Sequence, residues 1–283
     1  MKPDGISGVK PEPSTNPWLS GLLIGIVGLY IALLLGIPVV NIFYQAFREG
    51  IPAFLQHLTE RELLSALRLT VLTALVVVPL NTLFGLCAAL ALAHRRFPGR
   101  ALLLSLIDLP FSISPVVAGL MLVLLFGRQG WLGSLLQAWK LRVVFAFPGI
   151  VLATAFITLP FVAREVLPVL EEAGTEEEEA AKTLGANSWQ IFWRITLPNI
   201  RWGLLYGVIL TNARAMGEFG AVAVVSGNII GRTQTLPLFV EDAYRSYATG
   251  SAYAAAVVLS LLAVVTLVAK ELLERGSPSR RIF

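Results

Sequence analysis

The sequence is poor in the residues that most protein chemistry uses. It has one cysteine, Cys87, and two histidines, His57 and His94, among 283 residues. A lone cysteine excludes intramolecular disulfides and cysteine-based metal sites. The histidines fall in no ligand spacing such as H-E-x-x-H, so no metal site is expected and each is read as structural or interfacial. Cys87 sits inside an apolar run and is expected to pack as a small hydrophobe. No G-x-x-x-x-G-K-[ST] stretch is present, which removes a P-loop. A membrane-embedded enzyme would need a nucleophile–base pair or a metal cluster, and neither is visible. Charge is scarce too: 14% of residues are Asp, Glu, Lys or Arg, where soluble domains carry about 25%.

What remains is apolar. Hydrophobic residues make up 56% of the chain, and the mean hydropathy is +0.74. Both values point to a membrane. The net charge of +4 does not imply nucleic acid, because no stretch interleaves basic and aromatic residues on a polar surface. In a membrane protein such cations gather at cytoplasmic helix ends.

Residues 1–18 are polar and rich in Pro and Gly, and read as a flexible cytoplasmic tail. A charge-free apolar run then covers 19–47, too long for a signal-peptide core of roughly 7–15 residues. Five more runs follow at 69–93, 101–126, 143–163, 202–225 and 252–269. Most match the roughly 20 residues that cross a bilayer core of about 30 Å. The expectation is an all-α membrane protein with a six-helix domain over 19–272 and a cytoplasmic tail over 273–283. With the N-terminus inside, thirteen Lys and Arg fall in cytoplasmic segments and eight in outer ones. The positive-inside rule then places both termini in the cytoplasm, and with them the segment 171–198.

That segment carries the densest local signals. Thr175 and Glu178 fit a capping box, and the acidic cluster Glu176–Glu179 suits a helix N-terminus or a solvated face. Gly185 can end that helix in a left-handed conformation. Asn187 with Gln190 fits a second N-cap, and Trp189, Phe192 and Trp193 make the next helix strongly apolar. Two short helices are expected to meet at Gly185. So much aromatic surface should not stay in water. Either the second helix lies at the membrane interface or packs under the bundle, or the first helix offers a docking knob to a partner, with Ala180 and Ala181 allowing close approach.

Glu179-Ala180-Ala181, Gly185 three residues on, and Ile195-Thr196-Leu197-Pro198 after nine more resemble the E-A-A-x-x-x-G…I-x-L-P loop of ABC-importer permeases. The resemblance implies a type I, MetI-like six-helix permease. It makes Glu179, Ala180, Ala181, Gly185, Ile195, Leu197 and Pro198 the elements that couple the chain to an ATPase. It also implies no cofactor on this chain, with ATP and Mg2+ held by a partner subunit.

Charge inside an apolar run is costly, by roughly 2.5–3.5 kcal/mol per ion on insertion scales, and marks a functional hypothesis. Arg214 and Glu218 lie four apart in the fifth run. They can form a self-neutralising pair facing the bundle, or Arg214 can supply a positive field for an anion, and the two roles are compatible. Asp108 stands in the third run and is expected to pair with a neighbour. Ser112 and Ser114, beside Pro110 and Pro115, interrupt that run, as a packing kink or as part of a transport pathway.

The stretches 213–221, 226–228 and 233–238 resemble the sulfate/molybdate branch of these permeases, and the acidic stretch before the loop most resembles CysW-type sulfate/thiosulfate subunits. The resemblance implies an ATP-driven importer of sulfate or thiosulfate in a bacterial inner membrane, with molybdate or tungstate as the alternative cargo. The candidate pathway residues are then Arg214 and Glu218 from the charged pair, Ser112 and Ser114 from the interrupted run, and Asn228, Thr233 and Thr235 from the stretches that carry the resemblance. The implied partners are a CysT-like homologous permease forming a heterodimer, two ATP-binding subunits, an extracytoplasmic sulfate-binding protein and membrane lipid, with no nucleic acid. An ion-coupled secondary transporter using Arg214, Glu218 and Asp108 as relay groups is the rival of a different class, and it leaves the loop signature unexplained.

Overall fold

In a bilayer, every backbone amide and carbonyl must find a partner within the protein, which restricts spanning chains to helices or closed barrels. The computed structural model describes residues 17–94 and 97–275, and all regular structure among them is helical. Four helical stretches are long and apolar enough to cross a membrane: Trp18–Phe47, Arg61–Ala93, Phe147–Ala173 and Thr249–Ala269. Two further candidates are bent pairs, so the number of spans reaches six if each pair counts as one.

The first stretch joins α1 (Pro17–Ile31) to α2 (Ile37–Phe47) through one π-helical turn, Ala32–Gly36. Pro38 explains the turn. Proline has no N–H, and its ring collides with the carbonyl four residues back. Widening the preceding turn, with the Ile37 amide bonded to the Ala32 carbonyl, absorbs that conflict without ending the helix. Pro17 and Trp18, expected in the tail, already belong to α1. Likewise α15 (Thr249–Arg275) continues past the expected C-terminal boundary at 272. The rest of both expected tails, and Arg95 and Arg96, lie outside the described residues.

The short amphipathic α3 (Ile51–Leu58) precedes α4 (Arg61–His94), the longest helix. The expected third span is not one helix. Here α5 (Arg100–Ser112) and α6 (Pro115–Phe126) meet at 110°. Ile113 and Ser114 are extended between them, as a residue before proline prefers, and Pro115 starts α6 without needing the amide it lacks. Each piece is only about 18–20 Å long, so neither crosses a bilayer alone.

At the centre lie α8 (Phe147–Thr158) and α9 (Pro160–Ala173), with most of their joint apolar stretch buried. Pro160 supplies no amide, and the Leu159 amide slips to the Phe156 carbonyl, leaving the Ala155 carbonyl without its helical donor. The buried Asn81 of α4 fills that gap. Its Nδ2 donates to the Ala155 carbonyl at 2.9 Å and to Thr158 Oγ1 at 2.8 Å. Small residues let the helices on both sides approach α9. A Cβ added at Gly85 of α4 would lie 2.7 Å from Val162 Cβ, and one at Gly207 of α12 (Leu197–Met216) would lie 2.9 Å from Val162 Cα. This is the small-residue packing that membrane helices use in place of a hydrophobic driving force. By contrast, the most apolar window of Trp18–Phe47 buries nothing within this chain. Cys87, expected to pack as a small hydrophobe, is exposed on α4 instead.

Gly85→Val forces a branched side chain into a site with no room, an overpacking that costs roughly 1–3 kcal/mol or more. It is expected to lower both the yield and the melting temperature of the detergent-solubilised chain. Gly25→Ala in α1, where an added Cβ meets nothing within 4 Å, is expected to leave both unchanged.

Candidate functional site

The segment that follows α9 is built by local chemistry. Gly174, at φ +68°, ends α9, and α10 (Glu176–Thr183) starts immediately after it. Four glutamates occupy its first turn, where the helix dipole favours negative charge. The capping box expected from Thr175 and Glu178 does not form. Thr175 makes no capping bond to the backbone, and its hydroxyl donates to Glu179 Oε1 instead, at 3.0 Å. Glu178 is drawn elsewhere, to Thr196.

The end of α10 is well defined. Gly185 adopts φ +88°, its amide bonds to the Lys182 carbonyl, and the Ala186 amide reaches back to the Ala181 carbonyl. This pair of bonds is a Schellman closure, which a glycine in the left-handed region permits without a Cβ penalty. Asn187 and Gln190 then form a reciprocal capping box, with bonds of 2.8 and 2.9 Å.

The helix begun there is not a second short one. α11 (Ser188–Ile191) runs through a π-helical turn, Phe192–Thr196, straight into α12. Pro198 is again the reason. The Leu197 amide bonds to the Phe192 carbonyl, the same device that stands before Pro38. Ser188–Met216 is therefore one helix that carries Trp189 and Trp193 at its N-terminal end. Helix α10 buries no residue. Leu184 is 88% exposed and Trp189 69%, while Trp189, Phe192 and Trp193 contact one another edge-on or stacked. Ala180 is exposed and Ala181 half-buried. The aromatic surface is thus presented rather than packed under the bundle.

The other end of α12 holds the buried charge. Gly217 closes it, and α13 (Gly220–Ser226) leaves at a bend of 53°. The side chain of Glu218 is 1% exposed and lies 2.6 Å from Arg214 Nη1. Its other oxygen accepts the Ala221 amide at 2.9 Å. One carboxylate thus neutralises Arg214 and caps the N-terminus of α13, satisfying an amide freed by the break. Arg214 keeps about a third of its side chain exposed.

The two interruptions meet. A Cβ on Gly220 would lie 2.9 Å from Pro115 Cβ, and one on Gly119 would lie 2.6 Å from the Ala221 carbonyl. The break bearing Ser112 and Ser114, both exposed, therefore rests against the break pinned by Arg214 and Glu218. Asp108 is bound to Arg164 of α9 by two bonds of 2.5–2.6 Å, the neighbour that the sequence left unnamed.

Asn228, Thr233 and Thr235 are not brought to this crossing by any bond. They belong to the loop between α13 and α14 (Leu236–Arg245). Thr233 Oγ1 donates to the Ser226 carbonyl and accepts the Ile229 amide, and the Asn228 amide bonds to Ser226 Oγ. Thr235 is buried with no bond to its hydroxyl, and the next amide, of Leu236, bonds to Thr70 Oγ1 of α4. The sequence reading gave Glu177 and Glu178 only local roles at a helix N-terminus and passed over Asn199. Glu178 accepts from Thr196 Oγ1 at 2.6 Å and Glu177 from Asn199 Nδ2 at 2.8 Å. Four consecutive glutamates exceed what a helix N-terminus requires, and that excess was the available signal.

Comparison with known proteins agrees with this architecture. Residues 81–277 match the family model described as binding-protein-dependent transport system inner membrane component. The chain is 65% identical over 254 residues, 90% of its length and 92% of the relative's, to the sulfate transport system permease protein CysW of Synechocystis sp.. It is 50% identical to the Escherichia coli K12 protein of that name, over 91% of this chain and 88% of the other. The sulfate transport system permease protein CysT of E. coli K12 is 39% identical over 85% of this chain and 88% of its own. Among solved structures, a bacterial ABC transporter that imports the acidic polysaccharide alginate superposes with a TM-score of 0.75 at 19% identity, covering 94% of this chain and 96% of the other. The same fold occurs in an alginate ABC transporter complexed with its alginate-bound periplasmic protein, at a TM-score of 0.74 and 18% identity, with the same coverage. The chain belongs to the family of binding-protein-dependent transport system inner membrane components, the multi-pass, non-catalytic permease subunits of ABC importers.

Proposed function

We propose that the chain is a transmembrane permease subunit of an ATP-driven importer of sulfate or thiosulfate. The observation that carries the mechanism is the continuity of α11, the π-turn and α12. One helix links an exposed aromatic end to the charged break between α12 and α13. Similarity to CysW relatives over nine-tenths of the chain supports the cargo. In this reading six spans cross the inner membrane, each bent pair counting as one. Both termini are cytoplasmic, as the bias of thirteen cations to eight favours.

The exposed α10, with Glu179, Ala180 and Ala181 and its closure at Gly185, is the coupling helix. Ile195, Leu197 and Pro198 shape the π-turn that joins it to the span. It seats on one of two ATP-binding subunits, which hold ATP and Mg2+. A CysT-like homologous permease completes the pore as a heterodimer and covers part of the apolar surface left open by α1 and α2. An extracytoplasmic sulfate-binding protein delivers the anion. Ser112, Ser114, Arg214 and Glu218 stand along the pathway where the two breaks cross, because interrupted helices expose backbone and polar groups only where they line a cavity or are buried. Asn228, Thr233 and Thr235 shape the outer end of that pathway. Import then requires that the bound anion and the ATPase favour different conformations of one bundle.

Labelled sulfate uptake by cells with and without the chain tests the reading. Uptake is expected to depend on the chain and to be displaced better by thiosulfate than by molybdate. Chain-dependent accumulation of molybdate with unchanged sulfate uptake would reverse the cargo.

Gly185→Val places a β-branched residue at φ +88°, a conformation that costs L-residues about 1–2 kcal/mol. Stimulated ATP hydrolysis in the assembled complex is expected to fall, and hydrolysis at the wild-type rate refutes the coupling role.

Arg214→Gln leaves a buried carboxylate without its counter-charge, which typically costs about 3–5 kcal/mol. Complex yield is expected to drop, and adding Glu218→Gln is expected to restore it. Sulfate uptake by that assembled double variant, expected to stay low, isolates what the charge of Arg214 contributes to the anion.

A further inference from the structure

Helix α10 is bounded by two glycines in the left-handed region, Gly174 at φ +68° and Gly185 at φ +88°, and none of its residues is buried. A free helix on two such joints would tilt without moving anything behind it. It is not free. Glu178 Oε1 accepts the Thr196 hydroxyl at 2.6 Å, and Glu177 Oε2 accepts Asn199 Nδ2 at 2.8 Å. Thr196 closes the π-turn and Asn199 lies in the first turn of α12. The two bonds therefore bracket Pro198, which has no amide to donate within the helix.

We infer that Glu177 and Glu178 are positioning residues that latch α10 to the start of α12, so that a displacement of the exposed helix is passed to the span and its Arg214–Glu218 break. The inference rests on the coupling role proposed for α10 and names the contacts that carry it. Hydrogen bonds to an ionised carboxylate are stronger than neutral ones, which suits a contact that must hold under load. Thr196 is 5% exposed and Glu178 half-buried, so their bond is partly shielded from water. The Glu177–Asn199 bond is exposed and open to charge reversal without disturbing the core.

The test uses the complete transporter reconstituted in vesicles with its binding protein, and reads sulfate imported per ATP hydrolysed. Asn199→Asp sets two carboxylates against each other and is expected to lower that ratio about tenfold, the scale of losing one bond to a charged group. Glu177→Lys combined with Asn199→Asp restores an attractive pair and is expected to recover most of the ratio. Thr196→Val, which removes only the hydroxyl, is expected to lower the ratio similarly, and Thr196→Ser to preserve it. A wild-type ratio in both Asn199→Asp and Thr196→Val overturns the latch. So does a loss in Asn199→Asp that the charge swap leaves uncorrected. If Gly185→Val also hydrolyses ATP and imports normally, the coupling role of α10 fails as well. If that variant is impaired while the latch variants are normal, only the latch fails.

Discussion

The constraint on which this structure depends is that no backbone amide or carbonyl can be left unpaired inside a bilayer. Continuous helices satisfy it at once, but a transporter needs helices that bend. Each departure from regular helix here has its own remedy. Before Pro38 and Pro198 the turn widens to a π-turn. At Pro160 the orphaned Ala155 carbonyl is taken by Asn81, 74 residues away. At the α12–α13 break, the Ala221 amide is taken by Glu218. Asn81 and Glu218 serve these repairs, whereas most Ser and Thr hydroxyls in the apolar runs donate to the carbonyl one turn back in their own helix.

Those repairs also set where the molecule can move. The Asn81 network and the glycine-lined faces of α9 make a close-packed centre that transmits displacement. The two breaks, at Ser112–Pro115 and Gly217–Gly220, rest against each other. Helix α12 connects this crossing to the exposed α10 because Pro198 widens the helix instead of ending it. Had the chain broken at Pro198, the aromatic cluster beside α10 would sit on a helix separate from α12. The charged groups follow the same economy: Arg164 holds Asp108 and Arg214 holds Glu218, so both acids that stand within the apolar runs have a counter-charge.

Much of this was legible in the residues. Hydropathy marked the apolar runs, because a span must be apolar along its whole length. Gly185 and the Asn187–Gln190 pair were legible because a helix cap involves groups within a few residues of each other. The loop signature of Glu179 to Pro198 gave the family, and Arg214 with Glu218 was recognisable as an i,i+4 pair. The Thr175–Glu178 cap was misread because Glu178 had a better partner, Thr196, at a distance the local pattern does not encode. Cys87 was misplaced because an apolar run does not say which of its faces meets the protein and which meets lipid.

The sequence by itself thus determined the membrane class, the order of apolar segments and the chemistry at helix ends, since each depends on composition or on neighbours a few residues apart. Tertiary structure alone decided that the third run folds at 110°, that α11 and α12 are one helix, that Asn81 repairs the Pro160 break, and that Glu177 and Glu178 accept bonds from Asn199 and Thr196. A proline states only that a helix is in conflict. Whether the chain widens, breaks or borrows a donor depends on which side chains the rest of the fold brings within reach.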